Sequence, residues 1–384
     1  MLFKLTDEQV MIQNMVREFS RKVVGPAAAE RDKTREFPAE NFRQMGELGL
    51  MGMMVPVEYG GEGADAVSYV LALSEIAYSC ASTSVVMSVQ NSIVCESLCK
   101  FGTEDQKQEF LVPLASGEII GAFALTEPDA GSDPVSQATT ARKEGGEYII
   151  NGTKRFITSG ENSSVVLVTA KTDESLGHRG ISCFIVPKGT PGFTVGHHED
   201  KMGLRASDTT DLIFEECRVP AANILGKEGD GFKIAMSGLD SGRIGIAAQS
   251  LGVAQAAFDA AVKYAKGRKQ FGVSITKHQA IRFQVADMAT QIEAARQLVF
   301  SAASMKDRKE PFTREASMAK LFASEMVQDI TARAIQMHGG YGFTKDYEVE
   351  RYYRDARVFT IYEGTSEIQR IVISNAVLKD KRKP

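Results

Sequence analysis

The stretch Glu147–Thr158, EYIINGTKRFIT, decides how the chain divides. Two strand-like runs flank Asn151-Gly152, and Asn-Gly between such runs is a strong short-range hairpin signal, so a turn is predicted there. Three more runs of β-branched and apolar residues follow between turn signals: SSVVLVTAKT from Ser163, GISCFIVPKG from Gly180 and TTDLIFEECRVP from Thr209. Together they predict a mostly antiparallel β-domain over 121–225.

Helical periodicity takes over on both sides. Thr6 and Gln9 form a predicted capping box, with Leu5 and Val10 as a staple. Met11, Met15, Val16, Phe19 and Val23 follow at helical spacing up to Gly25-Pro26. Phe42, Met45 and Leu48 mark a second helix, residues 66–77 and 83–101 two more, and Thr103 with Gln106 caps a short one. Beyond residue 226, the stretches 232–265, 277–305, 313–337 and 365–378 are Ala-rich and amphipathic, as in a bundle. The expected fold is α+β and multidomain, with an N-terminal α-helical domain (1–120), a middle antiparallel β-domain (121–225) and a C-terminal four-helix bundle (226–384).

Composition narrows the function. A net charge of −4 over 384 residues argues against nucleic-acid binding, and no apolar run has the length of a membrane span. Five cysteines without a CxxC pair, and no signal-peptide pattern, predict reduced thiols. The expected location is the cytoplasm, or the mitochondrial matrix only if a transit peptide has been removed. The five histidines lack metal-site spacing, and His197–Asp200 reads as a solvated loop, so no metal is expected. Walker A and GxGxxG loops are missing too.

Candidate chemistry lies where the helices are interrupted. LDSGRIGIAAQSLG places Asp240, Gly242 and Arg243 inside an apolar helix, where glycine costs about 1 kcal/mol relative to alanine, so something is expected to approach that backbone. KGRKQFG ends a helix with Arg268 and Lys269, which reads as dipole compensation or as a phosphate clamp. QMHGGYGF carries more glycine than a C-cap needs. In IYEGTSEIQR, Ser366 and Gln369 predict a capping box and Glu367 falls in the first helical turn, favoured there by the dipole. Glu363, in the break before it, is either an exposed loop residue or a chemical group.

Nine segments, in order, resemble the acyl-CoA dehydrogenase family over essentially the whole chain, most closely its short-chain (butyryl-CoA) branch. They are VPVEYGGEG, GAFALTEPDAGSD, NGTKRFIT, DKMGLRASDT, GDGFKIAM, LDSGRIGIAAQSLG, RKQFG, MHGGYGF and RDARVFTIYEGTSEIQR. The resemblance implies a homotetramer, a dimer of dimers, that binds FAD, oxidises an acyl-CoA to the trans-2-enoyl-CoA and passes electrons to electron-transfer flavoprotein. By that likeness Phe123, Ala124, Leu125 and Thr126 line the flavin, and Phe156, Ile157 and Thr158 back it. Arg268, Phe271, Gln279, Gln336, Gly339 and Gly340 bind the FAD of a neighbouring subunit, and Thr365 and Glu367 contact FAD. Ser132, Asp240 and Arg243 contact the CoA substrate, Gly364 lets substrate approach, and Glu363 is the base.

One departure stands out: the family commonly has tryptophan where Phe156 stands, and this chain has none. Phenylalanine still stacks, so altered flavin fluorescence or potential is expected rather than lost binding. Isovaleryl-CoA and long-chain members place their base at the position of Gly242, which here has no carboxylate. The sequence Ser82-Thr83-Ser84-Val85 lacks the arginine of glutaryl-CoA members. A branched or cyclic acyl-CoA, an oxygen-using acyl-CoA oxidase-like reaction, and a non-catalytic scaffold stand as alternatives.

Overall fold

The computed structural model describes residues 4–379; residues 1–3 and 380–384, at the outer limits of the first and last predicted domains, lie outside the described residues. The N-terminal part comprises Asp7–Phe19 (α1), Ala28–Thr34 (α2), Ala39–Glu47 (α3), Ala66–Ser79 (α4), Ala81–Ser88 (α5), Glu96–Phe101 (α6), Glu104–Gln106 (α7) and Val112–Ala115 (α8). Capping boxes close at Thr6/Gln9 and Thr103/Gln106, as the sequence predicts. The run expected as one helix over 83–101 is instead α5 and α6 joined by a π-turn, Val89–Cys95. Inside it Asn91 bonds Leu50 O, Met87 O and Met53 N, stitching the widened turn to the loop after α3.

The strands are Gly121–Ala124 (β1), Thr140–Glu144 (β2), Glu147–Thr158 (β3), Val165–Lys171 (β4), Ile181–Pro187 (β5), Phe193–His198 (β6), Thr209–Pro220 (β7) and Ile224–Leu225 (β8). Among the described residues they form one sheet in the order β6-β7-β3-β2-β4-β5-β8, with β1 parallel to β4 and the remaining ladders antiparallel apart from a single parallel β2–β4 bridge.

The predicted turn at Asn151-Gly152 does not form. The hairpin turns six residues earlier, at Gly145-Gly146 between Glu144 and Glu147, and β3 runs straight through Asn151. The Asn-Gly pair instead makes a bulge against β7. Asn151 exchanges hydrogen bonds with Glu216 (its Nδ2 to Oε1 at 2.8 Å, and the Glu216 N–H to its Oδ1 at 2.8 Å), and a Cβ on Gly152 would lie 2.4 Å from Thr139 Oγ1. Glycine is needed there for close approach, not for chain reversal.

C-terminal to the sheet lie Gly231–Gly267 (α9), a short ribbon of Lys269–Gln270 (β9) and Val273–Ser274 (β10), Gln279–Asp307 (α10), Thr313–His338 (α11), Val349–Ala356 (α12) and Ser366–Lys379 (α13). Both helical parts share one core: Tyr69, Leu73 and Ile76 of α4 pack in the same cluster as Ile244, Ala247 and Leu251 of α9, and Ala319, Ala323 and Val327 of α11. A second cluster joins Val94, Leu98 and Leu114 to Val165, Leu167 and Ile185 of the sheet. The fold is therefore helical, sheet and helical in chain order, with α9 as the central strut.

Candidate active site

The segment between α12 and α13 is built to hold one carboxylate. Glu363 has φ 51° and Gly364 φ 93°, two consecutive left-handed residues. A non-glycine residue there costs about 1–2 kcal/mol and persists only where its surroundings over-determine it. On one side the Tyr362 hydroxyl donates to Gln249 Oε1 of α9, and the Gln249 amide is itself fixed by Ala81 O and Ser84 Oγ. On the other, Gly364 O accepts from Lys320 Nζ at 2.7 Å and from Gln369 Nε2 at 2.9 Å. Here the predicted cap is corrected: Thr365 Oγ1, not Ser366, accepts from the Ile368 N–H, while Gln369 turns back to the carbonyls of Glu363 and Gly364.

Glu363 as a residue is half-buried, yet both carboxylate oxygens are shut from solvent and lack a hydrogen-bond partner. Burial pushes its pKa up to about 7, against the pull of Lys320 and then Arg243. A Cβ on Gly242 would lie 2.1 Å from Glu363 Oε2, so the glycine that interrupts α9 makes room for this carboxylate. Beside it Arg243, 5% exposed, pairs with Asp240 at 2.5 Å, and Asp240 also accepts from Thr313 Oγ1.

The two sheet motifs meet at one corner: the Arg155 N–H bonds Thr126 O at 2.8 Å. A second bulge, between Lys154 and Ile157, puts Phe156 at φ 59° and leaves its ring 56% exposed, re-aimed out of the sheet. Phe123, Leu125, Thr126 and Thr158 are half-buried, whereas the Ala124 and Ile157 side chains are buried in the sheet core and offer only main chain. Ser132 is exposed on the loop after β1. The Leu204 N–H donates to Asp355 of α12 at 2.7 Å, tying the loop before β7, and through Thr209 the end of β3, to the helix that leads into the Glu363 segment.

The remaining predicted residues lie elsewhere. Arg268, Phe271, Gln279, Gln336, Gly339 and Gly340 are exposed where the ends of α9 and α11 meet, with Arg268 over the Tyr341 ring and Tyr264 stacked on His338. Thr365 and Glu367 border a groove of ≈ 590 Å³ that also takes in Glu325, Asp329 and Ala332 of α11. Asp329, Ala332 and Gln336 follow at helical spacing, so one face of α11 leads from Thr365 towards the glycine pair.

Family models for the acyl-CoA dehydrogenase N-terminal, middle and C-terminal domains match residues 6–118, 122–217 and 229–378. The chain belongs to the acyl-CoA dehydrogenase family. It is a flavin-dependent oxidoreductase of that family. It is 52% identical over 379 residues to the mitochondrial short-chain specific acyl-CoA dehydrogenase of Bos taurus, covering 99% of this chain and 92% of that protein. It is 50% identical to the short-chain specific acyl-CoA dehydrogenase of Clostridium acetobutylicum, covering 98% and 100%. Among solved structures, butyryl-CoA dehydrogenase from Megasphaera elsdenii superposes with TM-score 0.97 at 46% identity, covering 99% of this chain and all of the other. A chain solved with the electron transferring flavoprotein of Acidaminococcus fermentans as its subject gives 0.98 at 51% identity, covering 99% and 100%.

The acyl-CoA dehydrogenase site offers what a large polar cofactor needs. Buried polar atoms without partners include Ser366 Oγ and Gln369 Oε1 in the helix that follows Glu363, Ser159 Oγ and Ser163 Oγ just after Thr158, and His278 Nε2 next to Phe271. Gly339 and Gly340 have open space where a Cβ would stand, and Phe271 is 94% exposed. FAD fits this donor set. Sequence reasoning missed Lys320 and Gln249, and it read Gln369 only as a capping partner of Ser366. A usable signal existed for the first: Lys320 interrupts the apolar stripe Ala316, Ala319, Ala323 and Val327.

Proposed function

We propose that this enzyme dehydrogenates a short-chain acyl-CoA between its α and β carbons, with Glu363 removing the α-proton. The observation that carries the reading is a carboxylate shut from water, without a hydrogen-bond partner, and poised at about 7 beside two cations. An ionised group near the operating pH combines enough basicity with enough population of the base form. FAD, held by the residues named above, supplies the hydride acceptor when bound. The Glu363 backbone N–H faces the task of steadying enolate charge on the thioester oxygen. Asp240, Arg243 and Ser132 take the CoA portion, and Gly364 keeps the approach to the backbone open.

A short acyl chain is supported by the filling behind Gly242. One turn on, a Cβ at Gly245 would lie 2.4 Å from Ser88 Oγ and 2.9 Å from the Tyr69 hydroxyl, so buried Tyr69 and Leu73 close that depth. The names of the relatives point the same way. Electrons then pass to an electron-transfer flavoprotein, and the exposed apolar residues Ile371, Val377 and Leu378 of α13 support association into a homotetramer. We also propose domain limits at 1–120, 121–225 and 226–384, supported by the starts of β1 and α9, and a cytoplasmic location. Among the described residues no helix is long and apolar enough to cross a membrane.

Anaerobic titration of the holoenzyme with butyryl-, isobutyryl-, hexanoyl-, glutaryl- and cyclic acyl-CoAs, followed by flavin bleaching, tests the reading. Butyryl-CoA is expected to bleach fastest. Bleaching by none of them would sink the reaction, and a faster hexanoyl or cyclic substrate would sink the chain-length assignment alone.

A further inference from the structure

We infer that Lys320 is the positioning residue of the base: its buried ammonium holds the Gly364 carbonyl and thereby fixes the Glu363–Gly364 peptide and the aim of the Glu363 carboxylate. The inference rests on the reading of Glu363 as the proton-abstracting group.

Lys320 is 0% exposed, within the apolar stripe of α11. Burying an ammonium is costly unless it is paired. Among the described residues no carboxylate lies within ion-pair distance of it, and its hydrogen bond goes to a main-chain oxygen, Gly364 O, at 2.7 Å. A carbonyl satisfies the donor without cancelling the charge. The positive charge is therefore left to act on Glu363, whose oxygens make no hydrogen bond of their own.

Gln369 completes the clamp. Its Nε2 reaches Gly364 O at 2.9 Å and Glu363 O at 3.3 Å, so two donors, from α11 and α13, converge on the carbonyls of the left-handed pair itself. Without them nothing on this side holds Glu363 in a conformation that a non-glycine residue avoids.

Charge and geometry act together. The titratable and charged groups around the base are Lys320 of α11, Arg243 and Asp240 of α9, Tyr69 of α4 and Tyr362 of its own segment, with Glu325 and Glu367 acting on Lys320. Burial draws Lys320 down to about 8, with Glu363 the chief group opposing it, and the Lys320 charge is in turn the strongest pull against the rise of the Glu363 carboxyl. Removing that charge raises the pKa of Glu363, and less of the base is ionised at neutral pH.

Holoenzymes carrying Lys320→Met, Lys320→Gln and Gln369→Leu separate the contributions. For each, FAD content, thermal midpoint, KM, kcat against pH, and wash-in of solvent deuterium at the acyl α-carbon are measured. Lys320→Met is expected to keep its FAD and a KM within about threefold, while kcat and deuterium wash-in fall roughly 10- to 100-fold and the acid limb of the kcat profile moves to higher pH. Lys320→Gln, a shorter neutral donor, moves the limb equally with a smaller loss of kcat. Gln369→Leu lowers kcat and leaves the limb in place, and it carries the test if both lysine variants fail to fold. Parental kcat and acid limb in FAD-replete Lys320→Met would overturn the inference. So would lost stability with an unmoved limb in either lysine variant, or parental kcat in Gln369→Leu. Glu363→Gln distinguishes the two readings: if it still reduces flavin the base assignment falls, and if it is inactive while the Lys320 variants behave as the parent, only the positioning role falls.

Discussion

The molecule buries a lysine near a glutamate twice, once in the sheet and once between helices, with opposite results. In the sheet, Lys154 of β3 is 0% exposed and meets Glu127 at 2.8 Å, with Leu125 O, Gln137 Oε1 and Thr169 Oγ1 also accepting. Glu127 further accepts from the N–H groups of Ala138 and Thr139. Burial works to raise the pKa of Glu127, but Lys154 and these donors outweigh it and hold the carboxyl below its ordinary range. Between the helices, Lys320 turns to a carbonyl and Glu363 is left without a donor, so burial wins and the carboxyl rises to about 7. The satisfied pair is a tie between the loop after β1 and β3; the unsatisfied one is ready to take a proton.

Removing one charge from each site breaks the comparison most sharply. Glu363→Gln is expected to bind FAD and acyl-CoA and to lose flavin reduction by roughly 10²- to 10⁴-fold, read in a stopped-flow under anaerobic conditions. Full reduction would remove Glu363 as base. In the sheet the matching cut is Lys154→Met, which strands Glu127. It is expected to cost about 3–5 kcal/mol in denaturant unfolding, and the double change Glu127→Gln/Lys154→Met to recover part of it. An unfolding midpoint unchanged in the single variant would show that the pair is not a tie at all.

Space sets the third contrast. Glu127 is held by donors, whereas Glu363 has room only because Gly242 lacks a Cβ. Gly242→Ala places a methyl 2.1 Å from Oε2 and must displace the carboxylate, although alanine favours the helix. The expected result is a fall in kcat of roughly 10²-fold with little change in KM and a folded, flavin-loaded protein. Unchanged kcat would mean that the carboxylate works from another rotamer.

Much of this was legible in the sequence because it follows from local rules. Apolar period placed α9, α10, α11 and α13 within about two residues of their observed ends, and the glycine inside α9 already pointed to a close approach. The Asn-Gly reading failed for a tertiary reason: the Asn151 side chain pairs with Glu216, 65 residues away in a partner strand that no local window sees, while the true turn, Gly145-Gly146, carried a signal of the same kind. Strands β2 and β6 and helix α12 were not predicted; β2 is charged along most of its length, and its place is set by pairing with β3. Lys320 and the true partners of Gln369 stayed hidden because a helical period identifies a buried face but not what lies opposite it.

The smallest effect separates the two glutamates by pH alone. The ordinary carboxyl value of 4.5 applies to the unfolded chain, and Glu363 rises to about 7 in the folded one. A raised pKa means that the folded state holds its proton more tightly. This contribution to stability is fully present below about 4.5 and is lost as pH rises through 7. Glu127 runs the other way: its lowered pKa gives stability that is present above the ordinary value and is lost only in acid. Unfolding of the parent and of Glu363→Gln, compared at pH 5 and pH 8, should therefore show the parent losing about 1–3 kcal/mol more over that interval. Asp355, also raised by burial to about 6, is common to both proteins and cancels in the difference. Equal pH dependence in the two would mean that the Glu363 carboxylate is solvated in solution, and the contrast with Glu127 would then rest on hydrogen bonds alone.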